Sequence, residues 1–177
     1  ESWPVERHIK AFEYMAKALS SYTKTAVISF IDLYEKTKRN FPEVKPVVAE
    51  DRLALGQAFV EIGKQYGMTI RPCAEGNDLA QFGADCSGCM TVAMYEQAIG
   101  QQLKVPRQQP VRNECACYLG GDIGAYNTCG HLCRYCYANF DAQTVRANMR
   151  LHDPESPLLI GHLRPDDTVR DAKQKSW

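Results

Sequence analysis

Apolar and polar positions near the start of the chain predict an amphipathic helix. Five apolar residues recur at the spacing of a single helical face: Val5, Ile9, Phe12, Ala16 and Leu19. Ser2 is a candidate N-cap, and Pro4 is expected in the first turn. An apolar face with nothing upstream to cover it indicates a fragment of a longer protein.

The next segments alternate between strand and helix patterns. Residues 25–33 (TAVISFIDL) are β-branched and almost continuously apolar, which is typical of a strand buried on both faces. Residues 49–67 have helical apolar spacing, and residues 68–75 (MTIRPCAE) form a second short strand pattern. This β-α-β unit predicts an α/β fold with a parallel sheet, and ligands gather beyond the carboxyl ends of such strands. Asp32 and Cys73 are expected there.

After residue 76 the alternation fades, and loops with many cysteines dominate. The pattern predicts one compact domain in which a β/α segment, residues 1–76, carries a cysteine-rich region, residues 77–177. Within these parts the remaining predictions are a charged loop at 35–46, short helices at 90–100 and 141–152, a strand at 156–163 and a partly ordered charged tail at 164–177.

Charge and hydropathy exclude several partner classes. The 21 basic and 21 acidic side chains balance, so we expect no nucleic-acid partner. The longest apolar runs are far shorter than the ~20 residues of a membrane span, so we expect no membrane partner. The predicted protein is soluble and cytoplasmic.

Cysteines carry the strongest chemical signal. All eight lie between residues 73 and 136: Cys73, Cys86, Cys89, Cys115, Cys117, Cys129, Cys133 and Cys136. With no secretory signal, an iron-sulfur or zinc site is favoured over a disulfide framework. Zinc sites usually take two ligands from each of two knuckles, whereas Cys129, Cys133 and Cys136 offer three ligands from one loop. Three thiolates suit a 4Fe-4S cluster with one open iron.

That Cys-x3-Cys-x2-Cys spacing, with Tyr135 before the third cysteine, resembles the radical S-adenosylmethionine enzymes. CGHLCRYCYAN is similar to the cluster loop of the spore photoproduct lyase relatives. ECACYLGGDIGAYNTCGHLCRYCYANF, VISFIDLYEKTKRN and RPCAEGNDLAQFG are similar to an uncharacterised bacterial family of unknown function, whose C-terminal cysteine cluster has been likened to the same motif. This likeness implies part of a (β/α) partial barrel, with earlier strands in a missing N-terminal portion.

The resemblance implies roles for single residues. Cys129, Cys133 and Cys136 would ligate a 4Fe-4S cluster, and Tyr135 would lie against the adenine of S-adenosylmethionine. An electron donor such as flavodoxin or ferredoxin would allow release of a 5'-deoxyadenosyl radical toward an unknown substrate. Shielding of the cluster from solvent is the alternative role of both Tyr135 and Tyr137. In the wider family the cluster loop follows the first barrel strand, and a cofactor-binding Gly-Gly-Glu element comes later in the chain. Here GGD at 120–122 precedes the loop, so the cofactor-binding role is not transferred to it.

A second site is implied by the same resemblance. Its predicted ligands are Cys73, Cys89, Cys115 and Cys117, holding either a second 4Fe-4S cluster or a zinc ion. Cys86 is left free, as an incidental buried thiol.

Other residues have weaker claims, and three functions stay open. His131, Asp122, Asp32, Glu75 and the basic run 36–40 are candidates for ligand contact, each equally explained as a cap, a turn or a solvated face. His8, His152 and His162 are interpreted as structural.

The three alternative functions are a radical S-adenosylmethionine-type enzyme, a non-catalytic iron-sulfur protein for electron transfer or redox sensing, and a zinc-stabilised interaction module.

Overall fold

The computed structural model describes residues 3–104, 113–117 and 124–170. These residues divide into two compact units. The first comprises the described residues of Glu1–Phe30 and Val47–Gly120, and the second those of Ile31–Pro46 and Gly121–Ser176. The division therefore does not follow residue 76, and the predicted packing of a cysteine-rich region on a β/α segment stays a prediction.

The described residues contain helices and two short strands. In chain order they are α1 (Val5–Leu19), β1 (Thr25–Ile28), α2 (Glu35–Asn40), α3 (Ala49–Gln65), β2 (Thr69–Pro72), a 3-10 helix (Asp78–Phe82), α4 (Val92–Ile99) and α5 (Ala142–Arg150). None of these helices combines the length and the apolar character that crossing a membrane requires.

The first unit contains the predicted β-α-β arrangement. β1 pairs with β2 in parallel, with Thr25 opposite Thr69 and Ile28 opposite Pro72. Both strands have four residues, so β1 is much shorter than predicted. Burial of β1 on both faces was also wrong, because Val27 is 52% exposed. A two-stranded sheet has too few neighbouring elements to cover both faces of a strand.

The core of the first unit lies between the two long helices and the sheet. Its buried members are Phe12, Ala16, Val60, Ile62, Met68, Ile70, Leu79 and Ala84. The rings of Phe12 in α1 and Phe59 in α3 are 4.3 Å apart, which joins the two helices. The helices and β2 place Cys73 directly after the last residue of the second strand, as expected.

Helix starts and ends agree closely with the sequence. α1 begins at Val5, with Pro4 as its N-cap and so just before the first turn, while Ser2 lies outside the described residues. α3 is followed by Gly67 with φ +67°, and α4 by Gly100 with φ +69°. Glycine adopts this left-handed conformation at no steric cost, which ends each helix there.

The second unit corrects two predictions. Residues 35–46 were predicted as a loop, but α2 occupies Glu35–Asn40, because the segment contains good helix formers and a Glu35–Lys38 ion pair of 2.7 Å. The strand predicted at 156–163 is a series of turns and bends. There the Gly161 amide donates to the Leu151 carbonyl at 2.9 Å, so the chain folds back after α5.

The helix predicted at 141–152 is confirmed as α5. The Asp141 carboxylate accepts hydrogen bonds from the Thr144 amide and hydroxyl, both at 2.7 Å, and so caps the helix. Val145 is fully buried and fixes the inner face of α5 in the second unit. Of the predicted charged tail, residues 171–177 lie outside the described residues.

Candidate metal centres

The second unit carries three cysteines on one loop, residues 124–140. Cys129 and Cys133 are exposed and Cys136 is half-buried. The Cys136 amide donates to the Cys133 carbonyl at 3.0 Å, closing a tight turn between these two residues. No hydrogen bond joins the three thiols to one another in this described loop. The loop therefore presents two exposed cysteines and one half-buried cysteine whose thiols are not hydrogen-bonded to one another.

Asparagine side chains hold the base of this loop. The Asn139 amide donates to the Cys129 carbonyl at 2.8 Å, and the Asn148 amide donates from α5 to the Asn127 carbonyl at 3.1 Å. The Phe140 amide in turn donates to the Asn127 side-chain oxygen. Asn139 is 7% exposed whereas Cys129 is exposed, so the bond is buried on the side of Asn139 only. These bonds fix both ends of the three-cysteine segment.

Backbone conformation at the loop is unusual. Leu132, which precedes Cys133, has φ +52°, and Asn127 has φ +60°. A branched side chain such as leucine rarely adopts this left-handed conformation, and such residues cluster at functional sites. The buried Thr37 of α2 donates its hydroxyl to the Tyr135 carbonyl at 3.3 Å, which supports the third cysteine's turn.

A buried ammonium group lies beside the loop. The Nζ atom of Lys36 has no hydrogen-bond partner among the described residues, and it lies 4.4 Å from the centre of the Phe140 ring. Burial lowers the pKa of Lys36, and the nearby cation Arg39 acts in the same direction, whereas Asp141 partly opposes them. An unpartnered buried cation is costly, so this position favours an anionic neighbour.

Aromatic rings surround the same loop. Tyr137 packs against Tyr34 at a ring-centroid distance of 5.7 Å and against Tyr126 at 6.4 Å. Tyr135 and Tyr137 are each 57% exposed. Exposed rings of this kind provide flat apolar surfaces for stacking. The adenine role of Tyr135 and the shielding role of Tyr137 stay predictions.

The first unit brings three of the other cysteines into contact. The Cys89 sulfur lies 3.2 Å from the Cys117 sulfur and 3.4 Å from the Cys73 sulfur. Burial, followed by the hydrogen bonds of the Cys89 thiol with the Cys117 and Cys73 sulfurs, raises the pKa of Cys89 to about 12. Cys117 is buried, and Cys73 and Cys89 are half-buried. The predicted second set thus has three members that meet in space.

Arg71 of β2 organises the turn that presents Cys89. It makes an ion pair of 2.6 Å with Asp85 and donates to the Gly88 carbonyl at 2.8 Å. Hydrogen bonds from Ser87, together with Arg71, lower the pKa of Asp85 against the effect of its burial. The turn between residues 85 and 89 is therefore tied to the end of the strand that leads to Cys73.

Gly88 allows the Cys117 segment to reach this turn. Its φ is +119°, and a Cβ atom added there would lie 2.9 Å from the Ala116 carbonyl oxygen and 3.3 Å from the Cys117 amide nitrogen. Real side chains do not approach backbone atoms so closely. Only glycine permits both the left-handed conformation and the close approach of the two segments.

Cys115 and Cys86 differ in their surroundings. Cys115 is half-buried and lies two residues before Cys117. Cys86 packs at the edge of the apolar core, with its sulfur 3.9 Å from the Ala84 carbonyl oxygen, and burial raises its pKa. Cys86 is thus a half-buried thiol in largely apolar surroundings, and its exclusion from the second set stays a prediction.

The remaining candidate residues have structural surroundings. Glu75 accepts hydrogen bonds from the Phe30 amide at 2.8 Å and from Arg52 at 2.6 Å, so it ties the segment after β1 to α3. Asp32 accepts a hydrogen bond from the Tyr34 hydroxyl at 3.3 Å. Three of the histidines contact neighbours: His8 stacks on Trp3, His152 contacts the Leu159 carbonyl and His162 contacts Asp153. His131 is exposed, and Asp122 lies outside the described residues.

As it stands, no group of three or more His, Cys, Asp or Glu side chains in the described ranges is arranged to hold a metal ion. The sequence did not single out Lys36, Asn139, Arg71 or Gly88 as parts of a site. Lys36 belongs to the basic run 36–40, for which the sequence left ligand contact and a solvated face as alternatives, and only the fold reveals that its Nζ atom is buried. Among these four residues only Gly88 had a local sequence signal, because it lies within the Cys-x2-Cys knuckle.

Comparison with known proteins places the chain in a family. The model of a domain of unknown function (DUF1848) matches residues 1–138. The chain belongs to this family. The match to DUF1848 includes all eight cysteines and ends before Asn139. No curated protein and no solved structure gives a significant match. Membership of DUF1848 therefore confirms the predicted family of unknown function without assigning a reaction.

Proposed function

We propose that this DUF1848 chain is an iron-sulfur protein of the radical S-adenosylmethionine type. Cys129, Cys133 and Cys136 would hold a 4Fe-4S cluster, and Tyr135 would contact the adenine of the cofactor. When bound, the cluster supplies the electron that cleaves S-adenosylmethionine reductively to a 5'-deoxyadenosyl radical. The substrate class stays open.

The observation that carries this proposal is the arrangement of the loop thiols. Each thiolate of a 4Fe-4S cluster binds a different iron, so the sulfurs must lie well apart around the cluster. Three cysteines on one loop held at both ends by asparagines, with no hydrogen bond between their thiols among the described residues, are compatible with that requirement. A tetrahedral zinc site would instead bring its sulfurs to about 3.8 Å from each other, given Zn–S bonds of about 2.3 Å.

Charge at the loop supports an anionic occupant. Three thiolates carry three negative charges against the two positive charges of an oxidised 4Fe-4S core, so the ligated cluster is an anion. The unpartnered ammonium of Lys36 would compensate that charge. The same ammonium favours the reduced state, because reduction adds one more negative charge nearby.

The chain's own residues have three tasks in this proposal. The asparagine contacts and the Thr37–Tyr135 bond keep the loop in one conformation, so the donors need little reorganisation. The packed aromatic rings of Tyr34, Tyr126 and Tyr137 would cover part of a bound cluster. Tyr135 offers an exposed face for stacking with a base.

The partial (β/α) barrel belongs to the same proposal. A groove of about 580 Å³ runs along α1 and β1, lined by apolar residues such as Met15, Phe12 and Val27. Within the described residues β1 pairs only with β2, and although the Thr25 amide and carbonyl bond the Thr23 hydroxyl, a further strand could pair at the other edge beyond Thr25. An earlier strand from an N-terminal portion of a longer protein would fill this edge. Slower amide exchange of β1 in a longer chain would test that.

Release of 5'-deoxyadenosine tests the enzymatic proposal. The chain is reconstituted anaerobically with iron and sulfide, reduced with dithionite and incubated with S-adenosylmethionine. We expect 5'-deoxyadenosine from the wild type and from Cys86→Ala, and none from Cys133→Ala. Cys86→Ala is the matched control, because it removes a thiol outside both predicted sites.

The other function classes are outcomes of the same experiment. A reconstituted cluster that releases no 5'-deoxyadenosine, with or without an electron donor such as flavodoxin or ferredoxin, would replace the proposal by electron transfer or redox sensing. Zinc in place of iron on the loop cysteines of anaerobically purified protein would replace it by a zinc-stabilised interaction module.

A further inference from the structure

We propose that Cys73, Cys89 and Cys117, with Cys115 as fourth ligand, bind one Zn²⁺ ion in the first unit. This site is separate from the loop of the second unit and does not depend on the proposed function. Of the two occupants that the sequence leaves open for this set, the sulfur geometry favours a single metal ion over a second cluster.

The distances between sulfurs distinguish these occupants. Cys89 lies 3.2 Å and 3.4 Å from its two neighbours, Cys117 and Cys73. Thiolates that share one tetrahedral zinc ion are about 3.8 Å apart, so these two distances must lengthen by only about half an ångström. In a 4Fe-4S cluster the same sulfurs would have to separate to well beyond contact, because each binds a different iron.

A 2Fe-2S cluster is disfavoured by the same contacts. Its four thiolates bind in two pairs, one pair on each iron, so every sulfur has a single close partner. Cys89 has two close partners instead. Only a single metal ion brings one thiolate into proximity with all the others. An all-sulfur tetrahedral site takes zinc or a single iron, and thiolates bind Zn²⁺ without redox chemistry.

The backbone around the cysteines is shaped for this approach. Gly88 lets the segment of Cys117 approach the turn of Cys89, and Arg71 holds that turn through Asp85 and the Gly88 carbonyl. Interactions of this kind position the ligands of structural metal sites.

Strained residues flank two of the proposed ligands. Ala74 follows Cys73 with φ +56°, and Glu114 precedes Cys115 with φ +59°. Non-glycine residues persist in this conformation only when their surroundings compensate the cost, and metal ligation supplies such compensation.

Burial indicates a structural metal ion. Cys117 is 6% exposed, and the site joins three segments that are distant in sequence, at residues 73, 89 and 115–117. Structural zinc sites are closed and four-coordinate, and their binding free energy contributes to folding. The ion would therefore hold the 113–117 segment against the end of β2.

Metal analysis of single and multiple variants tests this site. The 177-residue chain is produced anaerobically in iron-replete and zinc-replete cells, reconstituted with iron and sulfide, and analysed for both metals. The variants are Cys89→Ser, its knuckle neighbour Cys86→Ser, and a triple Cys129→Ala, Cys133→Ala, Cys136→Ala variant. We expect zinc in the triple variant and in Cys86→Ser, and loss of zinc with retention of loop iron in Cys89→Ser.

Other outcomes of this metal analysis distinguish the zinc site from the proposed iron-sulfur function. Four iron atoms in the triple variant, lost on further Cys89→Ser substitution, would overturn the zinc site in favour of a second cluster. One iron atom there would overturn zinc as the occupant. Absence of iron from the loop, with zinc still dependent on Cys89, would support this site and contradict only the proposed function.

A second comparison remains decisive if Cys89→Ser does not fold. Gly88→Ala and Gly100→Ala both add a methyl group at a left-handed glycine, but an added Cβ at Gly100 has no neighbour within 4 Å. We expect Gly88→Ala to lose zinc and Gly100→Ala to keep it. Co²⁺ added to the metal-free triple variant should give the intense absorption of tetrahedral thiolate coordination, and its absence would overturn the site.

Discussion

Substitution of Asn139 tests whether its buried hydrogen bond holds the cysteine loop. The wild-type side chain donates to the Cys129 carbonyl at 2.8 Å, whereas its own oxygen is buried without a hydrogen-bond partner in the described part of the chain. Asn139→Ala removes a bond worth about 1 kcal/mol and leaves the carbonyl of exposed Cys129 to water. Because it also removes an unsatisfied oxygen, we expect a loss of about 1 kcal/mol or less in the free energy of unfolding.

Asn139→Asp preserves the shape of the side chain but should be the more harmful change. It removes the same donor, places an oxygen against the Cys129 carbonyl and buries a charge, which together cost roughly 3 kcal/mol. Burial should raise the folded-state pKa of the new carboxyl above its unfolded value of about 3.9, so the destabilisation grows as pH rises through the folded-state pKa. At low pH the protonated carboxyl can donate to Cys129 again.

Urea unfolding at a pH near 5 and near 8 measures both effects. Retention of loop iron against a chelator, compared between the two variants, links the loop to metal binding. We expect Asn139→Asp to be less stable than Asn139→Ala, with a larger deficit at the higher pH. Equal stability of the two variants, or a deficit that does not change with pH, would refute the role assigned to this bond.

Three further predictions concern charges around the two units. In a potentiometric titration, Lys36→Met should lower the reduction potential of the loop cluster by about 60 mV, equivalent to ~1.4 kcal/mol for one electron. The control Lys38→Met removes a cation that is already paired with Glu35, so it should have little effect on this potential. Glu75→Gln should reduce the free energy of unfolding by about 1–2 kcal/mol in urea, because its interaction with Arg52 loses the negative charge; no change would contradict its bridging role. The pKa of Asp141 is lowered by its bonds to Thr144, so its contribution to stability is present above the unfolded value of about 3.9 and is lost as pH falls through the folded-state pKa. Asp141→Asn should therefore flatten the acid end of the stability profile, and an unchanged profile would contradict the cap.

Local patterns predicted most of the helices and the parallel pairing. The apolar spacing of α1 and α3 and the left-handed glycines after α3 and α4 are properties of adjacent residues. The helix at Glu35–Asn40 was missed, because its charged sequence lacks an apolar face and Thr37 is buried through contacts within the second unit. The apolar run at 156–163 suggested a strand but has no partner strand in the described residues.

The sites depend on contacts between residues far apart in sequence. Cysteine spacing identified the loop and the second set, but not which sulfurs touch. The close approach of Gly88 to Ala116 and the burial of the Lys36 ammonium arise only when separate segments fold together. Spacing therefore suggests candidate ligand sets, while tertiary packing shows which of their sulfurs lie close together.

The most direct test of the central claim is electron paramagnetic resonance of the anaerobically reconstituted, dithionite-reduced chain. The Gly88→Ala variant provides a background in which only the loop should carry metal. The proposal predicts a 4Fe-4S signal that depends on Cys129, Cys133 and Cys136 and changes when S-adenosylmethionine is added, because the cofactor binds at the open iron. A cluster signal that is indifferent to S-adenosylmethionine, or no cluster on the loop, would contradict it.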